Sequence, residues 1–177
     1  MKKKALALVL ALTLLVAGIV GGTLAWLTDQ TAEVKNTFTV GDINIGLTET
    51  TADYKMVPGN TIAKDPTVTV KANSEACWLF VKVTESTDLK DFITYAIAEG
   101  WTALPGVDGV YYREVPASAA DQTFSVLADD AVTVRSDVTR TMLGTAKADA
   151  PTLTFQAYAI QRDHFATADA AWAEVSK

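Results

Sequence analysis

Between Leu153 and Ile160 the side chains of Leu153, Phe155, Ala157 and Ala159 alternate with Thr154, Gln156, Tyr158 and Ile160. That period of two places successive residues on opposite faces of a β-strand. The second face is also apolar in its latter half, so the segment must be covered on both sides, and a central place in a sheet is expected. The same alternation recurs upstream. Cys77, Leu79, Val81 and Val83 share one face of the run Cys77 to Thr84, with Trp78, Phe80 and Lys82 on the other, so that other face is expected to be partly covered. Thr67 to Lys71 is rich in β-branched residues. With Ala72-Asn73-Ser74-Glu75 between them, these two runs read as a hairpin. Phe38 and Val40, then Ile43, Ile45 and Leu47, alternate with a parity shift at Gly41, which predicts a strand, a kink and a second strand.

Turn chemistry divides the rest. Pro58-Gly59 suits a loop, because proline presets φ and glycine accepts φ above zero. Asp88 to Asp91 can start a short helical turn, and Phe92 to Ala98 with Trp101 returns to strand composition. Leu104-Pro105-Gly106 and Asp108-Gly109 then break the chain before Val110 to Val115, predicting a second hairpin. Thr123 to Leu127 and Ala131 to Val138 are two further β-rich pieces around Ala128-Asp129-Asp130, and Thr139 to Ala150, small and polar, reads as loop. Ala171, Trp172 and Val175 fall together at helical spacing, so Ala168 to Val175 is expected to be a closing helix packed through Trp172. Many short strands with Gly and Pro turns point to an all-β fold, a two-layer antiparallel jelly-roll-like sandwich with short helices.

The amino end belongs to a different kind of structure. Lys2, Lys3 and Lys4, an apolar run from Ala5 to Val20, and small residues at Thr23 and Ala25 form a secretory signal peptide with the cut after Ala25. The apolar run exceeds the roughly 7–15 residues of a signal core but falls short of the roughly 20 that span a bilayer. Thr13, Gly18, Gly21 and Gly22 interrupt it, which favours cleavage over an uncleaved anchor. The expected organisation is a signal at residues 1–25, a leader at 26–35 and a β-sandwich domain at 36–177. Removing 25 of 177 residues leaves 152, enough for one domain. Loss of the three lysines takes the formal net charge from −6 to −9, which argues against nucleic acid or anionic lipid as partner. Membrane contact is expected only through the signal before cleavage. Cys77 is the single cysteine, so no disulfide forms within the chain.

Catalytic chemistry finds little support. His164 is the only histidine, and no serine sits in a G-x-S-x-G nucleophile motif. The H-E-x-x-H zinc protease pattern needs two histidines on one helical face, so that mechanism is excluded. Asp42, Asp53, Asp129 and Asp130 offer oxygen ligands for a hard cation, but the D-x-[DN]-x-[DN]-G loop is missing and solvated turns are favoured. Cys77, between apolar neighbours and without a redox motif, reads as packing. No catalytic residue, metal ligand or cofactor site is therefore expected.

Four segments together resemble the TasA/camelysin family of exported bacterial surface and biofilm-matrix proteins: GGTLAWLTDQ, NTFTVGDINIGLTE, YKMVPGNTIAKDPTVTVKA with CWLFVKV after it, and LTFQAYAIQ. The resemblance implies a jelly-roll sandwich, a signal cut by an ER-type signal peptidase, and assembly of the secreted subunit into matrix fibres. In fibre-forming relatives the freed amino-terminal segment of one subunit adds a strand to its neighbour. Carried onto this chain, the cut falls between Ala25 and Trp26, the donor is Trp26 to about Glu33, and Trp26 and Leu27 are its anchors. The partner is then a second copy of the chain, met head to tail. The camelysin side of the family carries a metalloprotease label, which a chain with one histidine is not expected to fulfil. A non-polymerising surface binding domain is the third reading.

Overall fold

In the computed structural model, which describes residues 42–50, 55–146 and 151–177, the alternating segments become ten short strands. They are β1 (Ile45–Thr48), β2 (Thr61–Ala63), β3 (Thr67–Val70), β4 (Cys77–Glu85), β5 (Ile93–Thr94), β6 (Thr102–Ala103), β7 (Val110–Val115), β8 (Gln122–Ser125), β9 (Ala131–Val134) and β10 (Leu153–Gln161). Two helices follow, α1 (Arg140–Ala146) and α2 (Ala168–Val175), with 3₁₀ turns at Leu89–Asp91, Ala128–Asp130 and Arg162–His164. All strand pairs are antiparallel and make three sheets, ordered β1-β3-β8, β10-β4-β7-β6 and β2-β9-β5. The fold is thus mostly β with few helices, as its composition of β-branched runs and turns predicts.

Strand β4 organises the packing because both its faces are apolar. Cys77, Leu79, Val81 and Val83 join Val68 and Val70 of β3, Trp101, Val115 and Val126 in one core. On the other face Trp78 and Phe80 join Leu104, Val110, Ala168 and Ala171 in a second, with Trp172 of α2 against it. Phe80 is fully buried, worth about 1.5–3 kcal/mol for one such side chain. The Trp172 ring lies 5.3 Å from Phe80 and 5.2 Å, edge to face, from Tyr158. Helix α2 starts at Thr167, whose side chain accepts from the N–H of Ala170. Its bounds and its packing through Trp172 match the helical spacing. A third core, from Leu89, Phe92, Ile93, Leu127, Val132, Val134 and Val138, lies under the β2-β9-β5 sheet.

Several expectations fail for reasons of packing. β10 is not central: among the described residues it pairs only with β4, at one edge of its sheet. Its second apolar face is covered by α2 instead of a neighbouring sheet, and periodicity alone does not distinguish the two. β3 and β4 do not form a hairpin but belong to different sheets, with Val68 and Val70 of β3 packing across the core against Cys77, Leu79, Val81 and Val83 of β4. The linker turns through Asn73 at φ 64°. The run Phe92 to Ala98 shortens to β5 plus a single bridge from Ile97 to Leu127. The hairpin into β7 is therefore made by β6, closing over Leu104 to Gly109. The expected loop Thr139 to Ala150 contains α1, whose first turn takes a hydrogen bond from Met142 N–H to the Thr139 hydroxyl; Met142 and Leu143 then reach the third core. The strand expected around Phe38 and Val40 lies outside the described residues.

Candidate functional site

The two ends of β10 and β1 build the part of the surface where chain pairing stops. β10 runs nine residues in unbroken register against β4, from Leu153 opposite Glu85 to Gln161 opposite Cys77. Its start is held by Ser86, whose N–H donates to the Thr152 carbonyl at 2.9 Å and whose hydroxyl accepts from Thr152 N–H at 3.0 Å. β1 is likewise an edge strand, paired only with β3 among the described residues. Between the two edges lies a groove of about 290 Å³ lined by Leu47, Glu49, Pro66, Leu153, Thr154 and Phe155. Leu47 is 37% exposed there.

A partly buried ion pair lies beside this groove, sharing Glu49 with its lining. Lys64 follows β2 and is only 7% exposed, and its ammonium lies 2.6 Å from a Glu49 carboxylate oxygen and 5.4 Å from the Phe155 ring centroid. An ammonium this buried needs such partners, because desolvation of an unpaired ion costs several kcal/mol. Next to it the Thr50 hydroxyl and N–H both donate to Asp65, and those bonds, the hydroxyl's first, hold its carboxyl below the usual carboxylate range. The exit of β1 is thereby stapled to the segment before β3. Nothing in the sequence signals this: Glu49 and Lys64 are fifteen residues apart and share no motif.

The residues named from sequence fall elsewhere. Ala25, Trp26 and Leu27 lie outside the described residues, as does Asp53. His164 is exposed on its 3₁₀ turn, beside Arg162, which pairs with Glu114 at 3.2 Å. The Asp42 carbonyl accepts from Glu75 N–H, while Asp129 and Asp130 form a left-handed turn at φ 55° and 47° ahead of β9. Cys77 is buried, and burial pushes its thiol up to about 11, as expected of a packing residue. Among the described residues no three His, Cys, Asp or Glu side chains come together in a group able to hold a metal ion. No described helix is long and apolar enough to cross a membrane.

Comparison with protein families finds a match over residues 1–88 to the family described as camelysin metallo-endopeptidase. No curated protein and no solved structure matches the chain. The family's name implies a metal, and the described residues do not fit one: His164 has Asp163 and Glu114 near it around one concavity, but no group of three ligating side chains forms there.

Proposed function

We propose that this chain is a secreted structural subunit of a bacterial extracellular matrix or cell-surface fibre, a reading supported by the match of residues 1–88 to the camelysin family and by the resemblance of its sequence segments to TasA-like proteins. In this reading an ER-type signal peptidase cuts between Ala25 and Trp26 and leaves a jelly-roll-like sandwich with a free amino-terminal arm. The arm, Trp26 to about Glu33, adds as a strand to a second copy, with Trp26 and Leu27 as anchors. Main-chain hydrogen bonds supply the affinity and alternate side chains the register. A head-to-tail contact that does not close produces a filament.

The observation that carries this reading is the outer edge of β10, which has no strand partner among the described residues. Natural sheets blunt long edges with lysine, proline, bulges or shortness. Leu153–Gln161 contains no charged residue and no proline, and its register shows no bulge. An arm of eight residues spans about 27 Å at about 3.4 Å per residue, close to the length of this edge. The groove beside Leu47 and Phe155 would receive one anchor side chain.

Deleting Trp26 to Glu33 should leave a folded domain that forms no filaments in negative-stain microscopy; normal filaments from that protein would refute the donor assignment. Thr154→Lys with Gln156→Lys, at two exposed positions of β10, should block elongation from the acceptor side without unfolding the protein. The family description favours one other reading, a cell-surface metallo-endopeptidase. Chelator-sensitive azocasein cleavage by the pure protein would establish it over the fibre reading.

A further inference from the structure

A second concavity lies away from the β10 edge, where the end of β4, the 3₁₀ turn Leu89–Asp91, β5 and β7 meet. It is an open cleft of about 380 Å³, within the roughly 300–1,000 Å³ that small-molecule sites occupy. Leu89 and Ile93 are buried beneath it. Its walls are the rings of Tyr95 and Tyr111, and its polar groups are Glu85, Lys90 and Thr94. The Tyr95 hydroxyl donates to a Glu85 carboxylate oxygen, which fixes the phenol and leaves further acceptor positions of the carboxylate open. Burial first, and the same hydrogen bond second, push the Tyr95 hydroxyl far up, so it stays a neutral donor at any physiological pH.

We infer that this cleft is a binding site for a neutral saccharide of one or two pyranose units. One acid and one base line it, so it carries no net charge to select an ion. Glu85 accepts, Lys90 donates, and Thr94 and Tyr111 do either, the mixture that a ring of hydroxyls requires. The half-buried phenol rings of Tyr95 and Tyr111 in the lining supply aromatic surface of the kind against which the C–H face of a pyranose packs, over the apolar side chains of Leu89 and Ile93. This inference does not depend on polymerisation, since every lining group belongs to one subunit.

The test is isothermal titration of the secreted protein with cellobiose, maltose and N,N′-diacetylchitobiose. At least one should bind saturably with a dissociation constant of about 1 mM or tighter. Thr94→Arg fills the cleft from an exposed position, and Tyr111→Leu removes an aromatic wall; each should weaken binding about tenfold or more. Glu174→Gln, on the outer face of α2, should bind as the parent does. Absence of saturable binding to all three sugars overturns the inference, and so does unchanged binding in Thr94→Arg, which cannot be attributed to loss of the core. Thermal midpoints of the variants confirm that each is folded when titrated. Loss of filament formation in the arm-deleted protein leaves this result untouched, so the two readings fail separately.

Discussion

Alanine at Gly109 should destabilise the domain far more than alanine at Gly106, although both glycines sit in the same connection and both have φ above zero. Gly106 has φ 74° and Gly109 φ 71°, a region that costs an L-residue about 1–2 kcal/mol. The two differ in what a side chain would meet. A Cβ at Gly106 finds nothing within 4 Å, whereas at Gly109 it stands 2.4 Å from the Val83 carbonyl oxygen. That oxygen belongs to β4, and the Val83 N–H already donates to the Gly109 carbonyl at 2.7 Å. The two backbones cannot separate without loosening β7 from β4, and forced repacking of this kind costs about 1–3 kcal/mol more. Gly106→Ala should therefore cost about 1–2 kcal/mol and Gly109→Ala about 2–5 kcal/mol. For a domain of this size each kcal/mol lowers the melting midpoint by about 2–4 °C. Urea titration and calorimetry of the two variants and the parent measure both numbers. Equal losses at the two positions would show that the approach of the β6–β7 connection to Val83 is wrong.

Trp172→Ala should cost about 2–4 kcal/mol, below a fully buried tryptophan because the residue is half-buried, and should raise fluorescence of an apolar dye as α2 leaves Phe80 and Tyr158; urea unfolding reads the first and dye titration the second. Arg113 stacks 3.9 Å from the Phe124 ring and 5.3 Å from Trp101, with its Nε buried and unpartnered among the described residues. The orphan donor offsets the cation–π gain, so Arg113→Met should change stability by less than about 1 kcal/mol in the same assay, and a loss above about 2 kcal/mol would contradict that balance. Burial raises the folded-state pKa of Cys77 to about 11; the corresponding stability is complete below the unfolded thiol's pKa of about 8.5 and is lost as pH rises toward 11. Cys77→Ala should flatten the alkaline side of a stability–pH curve up to about pH 10, above which Tyr95 takes over. At the acid end, Asp121 is held low first by the Ala72 N–H and then by Lys71, and Asp137 by Arg135. Their contributions are present above about pH 4 and lost as pH falls through the lowered values, and Asp137→Asn should shift acid unfolding measured by circular dichroism.

How much of this was legible in the sequence depends on the range over which each cause acts. Period-two alternation identified β4 and β10, the turn signals ahead of Val110 identified β7, and helical spacing placed α2 with Trp172 as its contact, because side-chain direction and turn chemistry are local properties. The turns at Gly59, Gly106 and Gly109 followed from backbone sterics. The helix Arg140–Ala146 was missed because its sequence is small and polar, and only Met142 and Leu143 against the core give it a reason to form. Sheet membership was also beyond the sequence: an apolar second face looks the same whether a sheet or a helix covers it.

The sequence by itself determined a β-rich domain without an internal disulfide, and a single histidine that rules out a paired-histidine zinc motif. Only the tertiary structure decided that β10 stands at an edge among the described residues, that Lys64 meets Glu49, and that Glu85, Tyr95 and Tyr111 line one cleft. Each of these is a contact between residues distant along the chain. Such contacts are chosen by the simultaneous burial of several apolar faces, a condition that no local pattern contains.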